Sequence, residues 1–176
     1  MEELLRPYPI FQYGFLGSEK IDFKEEVRHI CERECKRYGD SWSCPPAVGT
    51  VSECQKRCLA YTDVLLFSTL AEVSDLTNSE ERCLTKKNHE KTVHSLCHDL
   101  KMNGVDFLAL SSDSCAVCDT CTYPKKICCY PDKMRPCIES YGILVTSAAE
   151  ALAMDFFIDS QTILWFAMIF FHRQKK

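Results

Sequence analysis

Apolar runs along the chain alternate with polar stretches that carry helix starts and stops. Asp63 to Leu70 (Asp-Val-Leu-Leu-Phe-Ser-Thr-Leu) has the length and branched content of a buried strand. Val105 to Leu110 predicts a second strand, Gly142 to Val145 a short third and Gln161 to Phe171 a fourth. The fourth is apolar at successive positions, as a central strand covered on both faces would be. Thr77-Asn78-Ser79-Glu80 has capping-box spacing and opens a polar helix to about Met102, where Asn103-Gly104 stops it. Its apolar line is Cys83, Val93, Leu96, Cys97 and Leu100, while His94 and His98 are expected on its solvated side. A second box, Ser147 to Glu150, opens a helix to about Phe157.

Upstream, Tyr8 to Leu16 is aromatic-rich and reads as an edge strand or packed arm. Asp22 with Glu25 caps a helix over Phe23 to Arg33. Val51 to Leu59 is another helix, on which Cys54 and Cys58 are core residues. From Asp63 onward the order is strand, helix, strand, insert, strand, helix, strand. That order predicts an α+β fold with a ferredoxin-like split βαβ antiparallel sheet and both helices on one face. A cysteine-rich insert over 114–141 replaces the central hairpin connection. The whole is expected to be one domain over 1–176, with residues 1–60 as an N-terminal arm and 61–176 as the core.

Composition changes this picture in one respect. The chain has 176 residues, 46% of them hydrophobic, which is enough for a core. A net charge of −4 with scattered basic residues argues against nucleic acid as a partner. Thirteen cysteines, however, call for an explanation. The opening Met1-Glu-Glu-Leu-Leu-Arg is acidic and no apolar stretch follows, so an export signal and a secreted disulfide scaffold are not expected. The longest apolar run, Thr162 to Phe171, is about half of what a membrane-spanning helix needs. A cytoplasmic location is expected, where clustered thiols read as metal ligands.

The densest cluster is Cys115-x2-Cys118-x2-Cys121, followed by Cys128, Cys129 and Cys137. A two-residue gap lets one turn of backbone wrap a metal while amide N–H groups face the sulfurs. Three such thiols in series, with a fourth from farther away, match the bacterial iron–sulfur run. Structural zinc more often uses two separated Cys-x2-Cys knuckles. Cys31 and Cys35 end the first long helix on one face, and Cys44 stands before Pro45-Pro46, which fix an extended backbone. Cys115, Cys118, Cys121 and Cys128 suffice for one four-iron cluster. Cys31, Cys35, Cys44 and a further thiol would hold a second, or Cys44 would be the outside ligand of the first. Lys125, Lys126, Lys133 and Arg135 lie around the insert, where they would neutralise an anionic cluster, dock an acidic redox partner, or simply solvate an ordinary loop.

Tyr38-Gly39-x2-Trp42-x-Cys44-Pro45-Pro46, the triple-thiol turn, and Cys128-x-Tyr130-Pro131-x4-Pro136-x2-Glu139-x2-Gly142-Ile143 occur in that order. Together they resemble the predicted metal-binding family called domain of unknown function 2284, found in anaerobic bacteria and archaea. The resemblance covers roughly Val27 to the end. It implies a cytosolic cysteine-bound metal of the iron–sulfur type and no particular reaction. It carries ligand roles to Cys35, Cys44, Cys115, Cys118, Cys121 and Cys128, with Cys31 just upstream. Cys129 stands where an arginine is usual in that family, and Cys137 where a small polar residue is usual. Glu139 matches the pattern and is expected to hold the insert rather than do chemistry. Three functions follow. The first is electron transfer or a redox-accessory role with one or two four-iron clusters; the second, a zinc-stabilised interaction module; the third, an iron–sulfur enzyme with an open iron site. The first is expected and enzymatic activity is not, since neither a catalytic triad nor a phosphate loop stands out.

Overall fold

The computed structural model describes residues 1–173. Four strands form one sheet: β1 (Gln12–Gly17), β2 (Asp63–Glu72), β3 (Phe107–Ser111) and β4 (Thr162–Phe171). Their order is β1-β2-β4-β3 and every neighbouring pair is antiparallel. Five α-helices accompany them: α1 (Glu2–Leu5), α2 (Glu25–Glu34), α3 (Val51–Leu59), α4 (Ser79–Met102) and α5 (Val145–Ala151). The fold is thus mixed α/β on an antiparallel sheet. Among the described residues, no helix is long and apolar enough to cross a membrane.

Part of the expected topology is present. β2 and β3 run parallel, α4 connects them, and β4 lies between them as a split βαβ unit requires. The other half differs. The expected third strand, Gly142 to Val145, is not a strand: Ile143 makes one isolated bridge to Phe23, and Val145 already begins α5. The reason is local. Gly142 lies at φ +75°, closing a single 3-10 turn over Glu139–Tyr141 and breaking any extended run. A Cβ there would stand 2.9 Å from Val51 Cγ1 and 3.0 Å from the Lys24 carbonyl, so the chain passes too close to α3 for another residue. β4 takes the central place instead, and β1 adds an edge beside β2, from Gln12 opposite Ser68 to Gly17 opposite Asp63.

The helices cover both faces of the sheet rather than one. Leu65, Phe67, Ala109, Ala167 and Ile169 face α1 and α4, packing on Leu5, Val93, Leu96 and Leu100. Val64, Leu66, Leu110, Phe166, Met168 and Phe170 face α3 and α5, packing on Cys54, Cys58, Ala148 and Ala149. Alternate residues of a strand point to opposite faces, so strands that are apolar at every position need cover on both. β4 therefore fills the central position its sequence predicts, and Cys54 and Cys58 are core.

Helix boundaries show which caps form. α2 starts two residues later than expected, with Lys24 rather than Asp22 at its N-cap. Asn78 caps α4, its side-chain oxygen accepting from the N–H groups of Glu80 and Glu81 at 3.0 and 3.2 Å. A capping box does form on α3, between Thr50 and Glu53. Ser147 lies inside α5, not before it, and its hydroxyl donates to Asp22 at 2.9 Å. α5 ends at Ala151, and Phe156 then lies stacked on Phe166 with ring centroids 5.2 Å apart. On α4, Cys83 is exposed, not inward, and Lys86 and His89 are buried instead; His94 and His98 are exposed as expected.

Candidate metal centre

The insert is a closed excursion from the sheet edge. β3 ends at Ser111, and the returning chain pairs with that same residue. The Ser111 N–H donates to the Pro136 carbonyl and the Ile138 N–H to the Ser111 carbonyl, each at 3.0 Å. Everything from Ser112 to Arg135 is held between these two backbone bonds.

The segment Ser41 to Cys44 packs against this loop from far upstream in the sequence. The Cys115 N–H donates to Ser43 Oγ at 2.9 Å, and the Cys137 N–H donates to the Ser43 carbonyl at 3.2 Å. Ser43 is fully buried and so pins both limbs of the insert. Trp42 reaches outward, its indole N–H donating to the Lys126 carbonyl at 3.1 Å while Tyr123 packs edge-on at 4.9 Å. The separated segments therefore meet.

Cys115, Cys118, Cys121 and Cys128 line one recess, together with Cys129, Ser41, Trp42, Val117, Thr122, Tyr130 and Met134. Burial raises the Cys115 thiol pKa, against the pull of the Val117 N–H. Cys118 is also raised, by loss of solvent and then by the nearby Cys129, Cys115, Cys128 and Cys121, which would carry like charge. Cys121 is the exception. Loss of solvent opposes ionisation there too, but N–H groups of Tyr123, Trp42 and Thr122 and the Ser41 hydroxyl point at its sulfur and lower its pKa overall.

The remaining predicted ligands lie elsewhere. Cys31 is half-buried in the last turn of α2, Cys35 is its exposed C-cap, and Cys44 and Cys137 are buried. None of these four lines the recess. Cys44 is nonetheless close by, since its sulfur is 3.6 Å from the same Ser43 Oγ that receives the Cys115 N–H. Among the described residues, no three or more His, Cys, Asp or Glu side chains are drawn together as a finished cage for a metal ion. What the structure supplies is a donor set rich in thiols on a shared wall, with N–H groups already aimed at one sulfur. That chemistry suits a thiophilic metal.

Two residues that sequence reading passed over shape this region. Ser43 carried no signal beyond its place next to Cys44. Lys86 looked like one more solvated charge of α4, yet it is buried, with its ammonium donating to the Ser114 carbonyl and pairing with Asp113 at 3.4 Å. It anchors the residue that precedes Cys115. Lys86→Met should lower stability by about 1–3 kcal/mol, because the buried Ser114 carbonyl loses its donor while the half-exposed Asp113 can turn to water. Lys86→Gln, which keeps an N–H donor, should recover most of that loss. Thermal melts of the two variants check this, and equal melting points for them would contradict it.

With this geometry in hand, comparison with known proteins is informative at one level. Residues 15–171 match the family described as "Predicted metal-binding protein (DUF2284)". No curated protein and no solved structure matches the chain. A match that spans β2, β3, β4 and both cysteine segments makes the assignment plain: the chain belongs to the DUF2284 family of predicted metal-binding proteins.

Proposed function

We propose that this metal-binding chain carries a four-iron cluster in the recess and serves as an electron-transfer or redox-accessory protein of the cytoplasm. The carrying observation is that Cys115, Cys118, Cys121 and Cys128, spaced as an iron–sulfur run with a fourth thiol, line one recess. When bound, such a cluster supplies a one-electron redox couple. The rest falls to the protein. The four thiols would be the ligands. N–H groups at Cys121 would stabilise its thiolate, and hydrogen bonds to ligand sulfur are one of the means by which a protein sets reduction potential. Val117, Tyr130 and Met134 would limit water at the recess. Lys125, Lys126 and Lys133 are exposed around the loop and would receive an acidic redox protein.

Anoxic purification with metal analysis tests the reading. Brown protein with about four irons for the recess, bleached by dithionite, is the expected result. Colourless protein with stoichiometric zinc, unfolding on chelation, would replace it with a zinc-stabilised module. An iron centre with one iron lacking a thiolate would point instead to an enzyme.

A further inference from the structure

We infer that the outward face of α4 is a docking surface for an acidic, helical segment of a partner protein. The surface shares no residue with the thiol recess and stands whether or not the recess holds metal.

The packing of α4 fixes which of its residues point out. Val93, Leu96 and Leu100 are fully buried against the sheet, with Lys86, His89 and Cys97 buried on the same side. At about 3.6 residues per turn, the opposite side of the helix is left to Lys87, Lys91, His94, His98 and Lys101, and all five are exposed. Their spacing runs four, three, four and three residues, so they form one straight line about 21 Å long.

The line is basic without interruption. From Lys87 to Lys101 the helix holds two acidic residues, and both are half-buried with partners of their own. Glu90 accepts from the Ser111 hydroxyl and Asp99 from the Tyr8 hydroxyl, each at 2.6 Å. Asp99 also approaches His98 at 3.4 Å, but among the described residues Lys87, Lys91 and Lys101 make no ion pair. The insert adds further cations here. Burial first, and then the charges of Arg135, Lys133 and His98, lower the His94 pKa. A helix that needs only solvating mixes its signs, because opposite charges one turn apart stabilise it and like charges one turn apart do the reverse. The outward face of α4 forgoes that gain, and a facing row of carboxylates would restore it.

The ends of the line give the class of partner. Leu84 lies one turn before Lys87 and is 60% exposed, and Met102 follows Lys101 and is 73% exposed. Apolar contacts at both ends with charge between them suit a helix laid along α4. Carboxylates at the same three-and-four spacing on that helix would meet the cations in register. A single nucleic-acid strand fits less well, since it gains affinity by stacking bases on aromatic rings, and α4 has no Phe, Tyr or Trp.

The test uses the full chain, isotope-labelled for NMR, and a synthetic helical peptide with glutamates at three-and-four spacing between two leucines. Amide signals should shift along α4 and the return limb of the insert, and binding should weaken as salt rises. Combining Lys87→Glu with Lys91→Glu should weaken the peptide about tenfold. Both side chains are exposed, so this variant should melt as wild type does. A peptide with glutamine in place of glutamate should not bind. The inference is overturned if the glutamate peptide does not bind, if the glutamine peptide binds as well, if the double reversal leaves affinity unchanged, or if signals elsewhere shift instead. Single-stranded RNA that moves the α4 signals more than the peptide does would assign the face to nucleic acid. Shifts of the same signals with protein concentration alone would assign it to a second copy. Either result also overturns the inference.

Discussion

Cys121→Ser should strip the recess of its metal while leaving the fold intact. Four-thiolate structural zinc is held by about 10–16 kcal/mol, so one ligand accounts for about 3 kcal/mol, or more than a hundredfold in affinity. An iron–sulfur cluster with three thiolates and a serine should be lost on exposure to a chelator that spares wild type. Cys121 is the strongest choice, because loss of solvent there is outweighed by N–H groups that lower its pKa overall, whereas Cys115 and Cys118 are raised. The sheet does not depend on it, since the insert is closed at Ser111 by backbone bonds that the substitution leaves alone. Metal analysis with far-UV circular dichroism checks both halves. Unchanged metal content in the variant would remove Cys121 from the ligand set.

Acid should destabilise the protein through His89, by about 3 kcal/mol between pH 7 and pH 4. Its ring is sealed between α4 and the sheet, with Nδ1 2.8 Å from the Thr69 hydroxyl and Nε2 3.2 Å from the Phe166 carbonyl. Burial holds its pKa down at about 4, against the pull of the Phe166 carbonyl, and the Lys86 ammonium lowers it further. The unfolded chain takes up this proton near 6.5, while the folded chain refuses it until about 4. The stabilisation is therefore complete above pH 6.5 and is lost progressively as pH falls toward 4. Denaturant titrations at several pH values should show wild type weakening across that window. His89→Gln, which has no proton to gain, should show a shallower slope. Parallel slopes for the two proteins would mean that another group carries the acid sensitivity.

His89 also illustrates how far the sequence could be read. On α4, the apolar line was extrapolated from period alone, which put Cys83 inside and gave Lys86 and His89 no role. The structure reverses this, because Lys86 meets the Ser114 carbonyl at the insert's root, and His89 meets the Thr69 hydroxyl and Phe166 carbonyl of the sheet. The strands were legible because apolar content is local: β2 and β4 are apolar residue after residue. Their order was not, because β4 takes the central place expected of a third strand and β1 joins the edge beside β2, while the close approach of Gly142 to α3 keeps its segment out of the sheet. The thiols of the recess were legible through their spacing. That Cys31, Cys35, Cys44 and Cys137 stay out of the recess was not, since it depends on how the Ser43 segment meets an insert far away in the chain.

The place of β4 in the sheet has a consequence for biosynthesis. It is the last strand to leave the ribosome, yet it lies between β2 and β3, which pair with it and not with each other. Until it emerges, both earlier strands expose unpaired edges, and such edges invite pairing with other chains. The thiol-rich loop meanwhile closes on a strand that is not yet held in a sheet, because Ser111 belongs to β3, whose neighbour β4 has yet to be made. Metal loading should therefore follow the emergence of β4, and nascent chains halted before Thr162 should depend on chaperones to stay in solution.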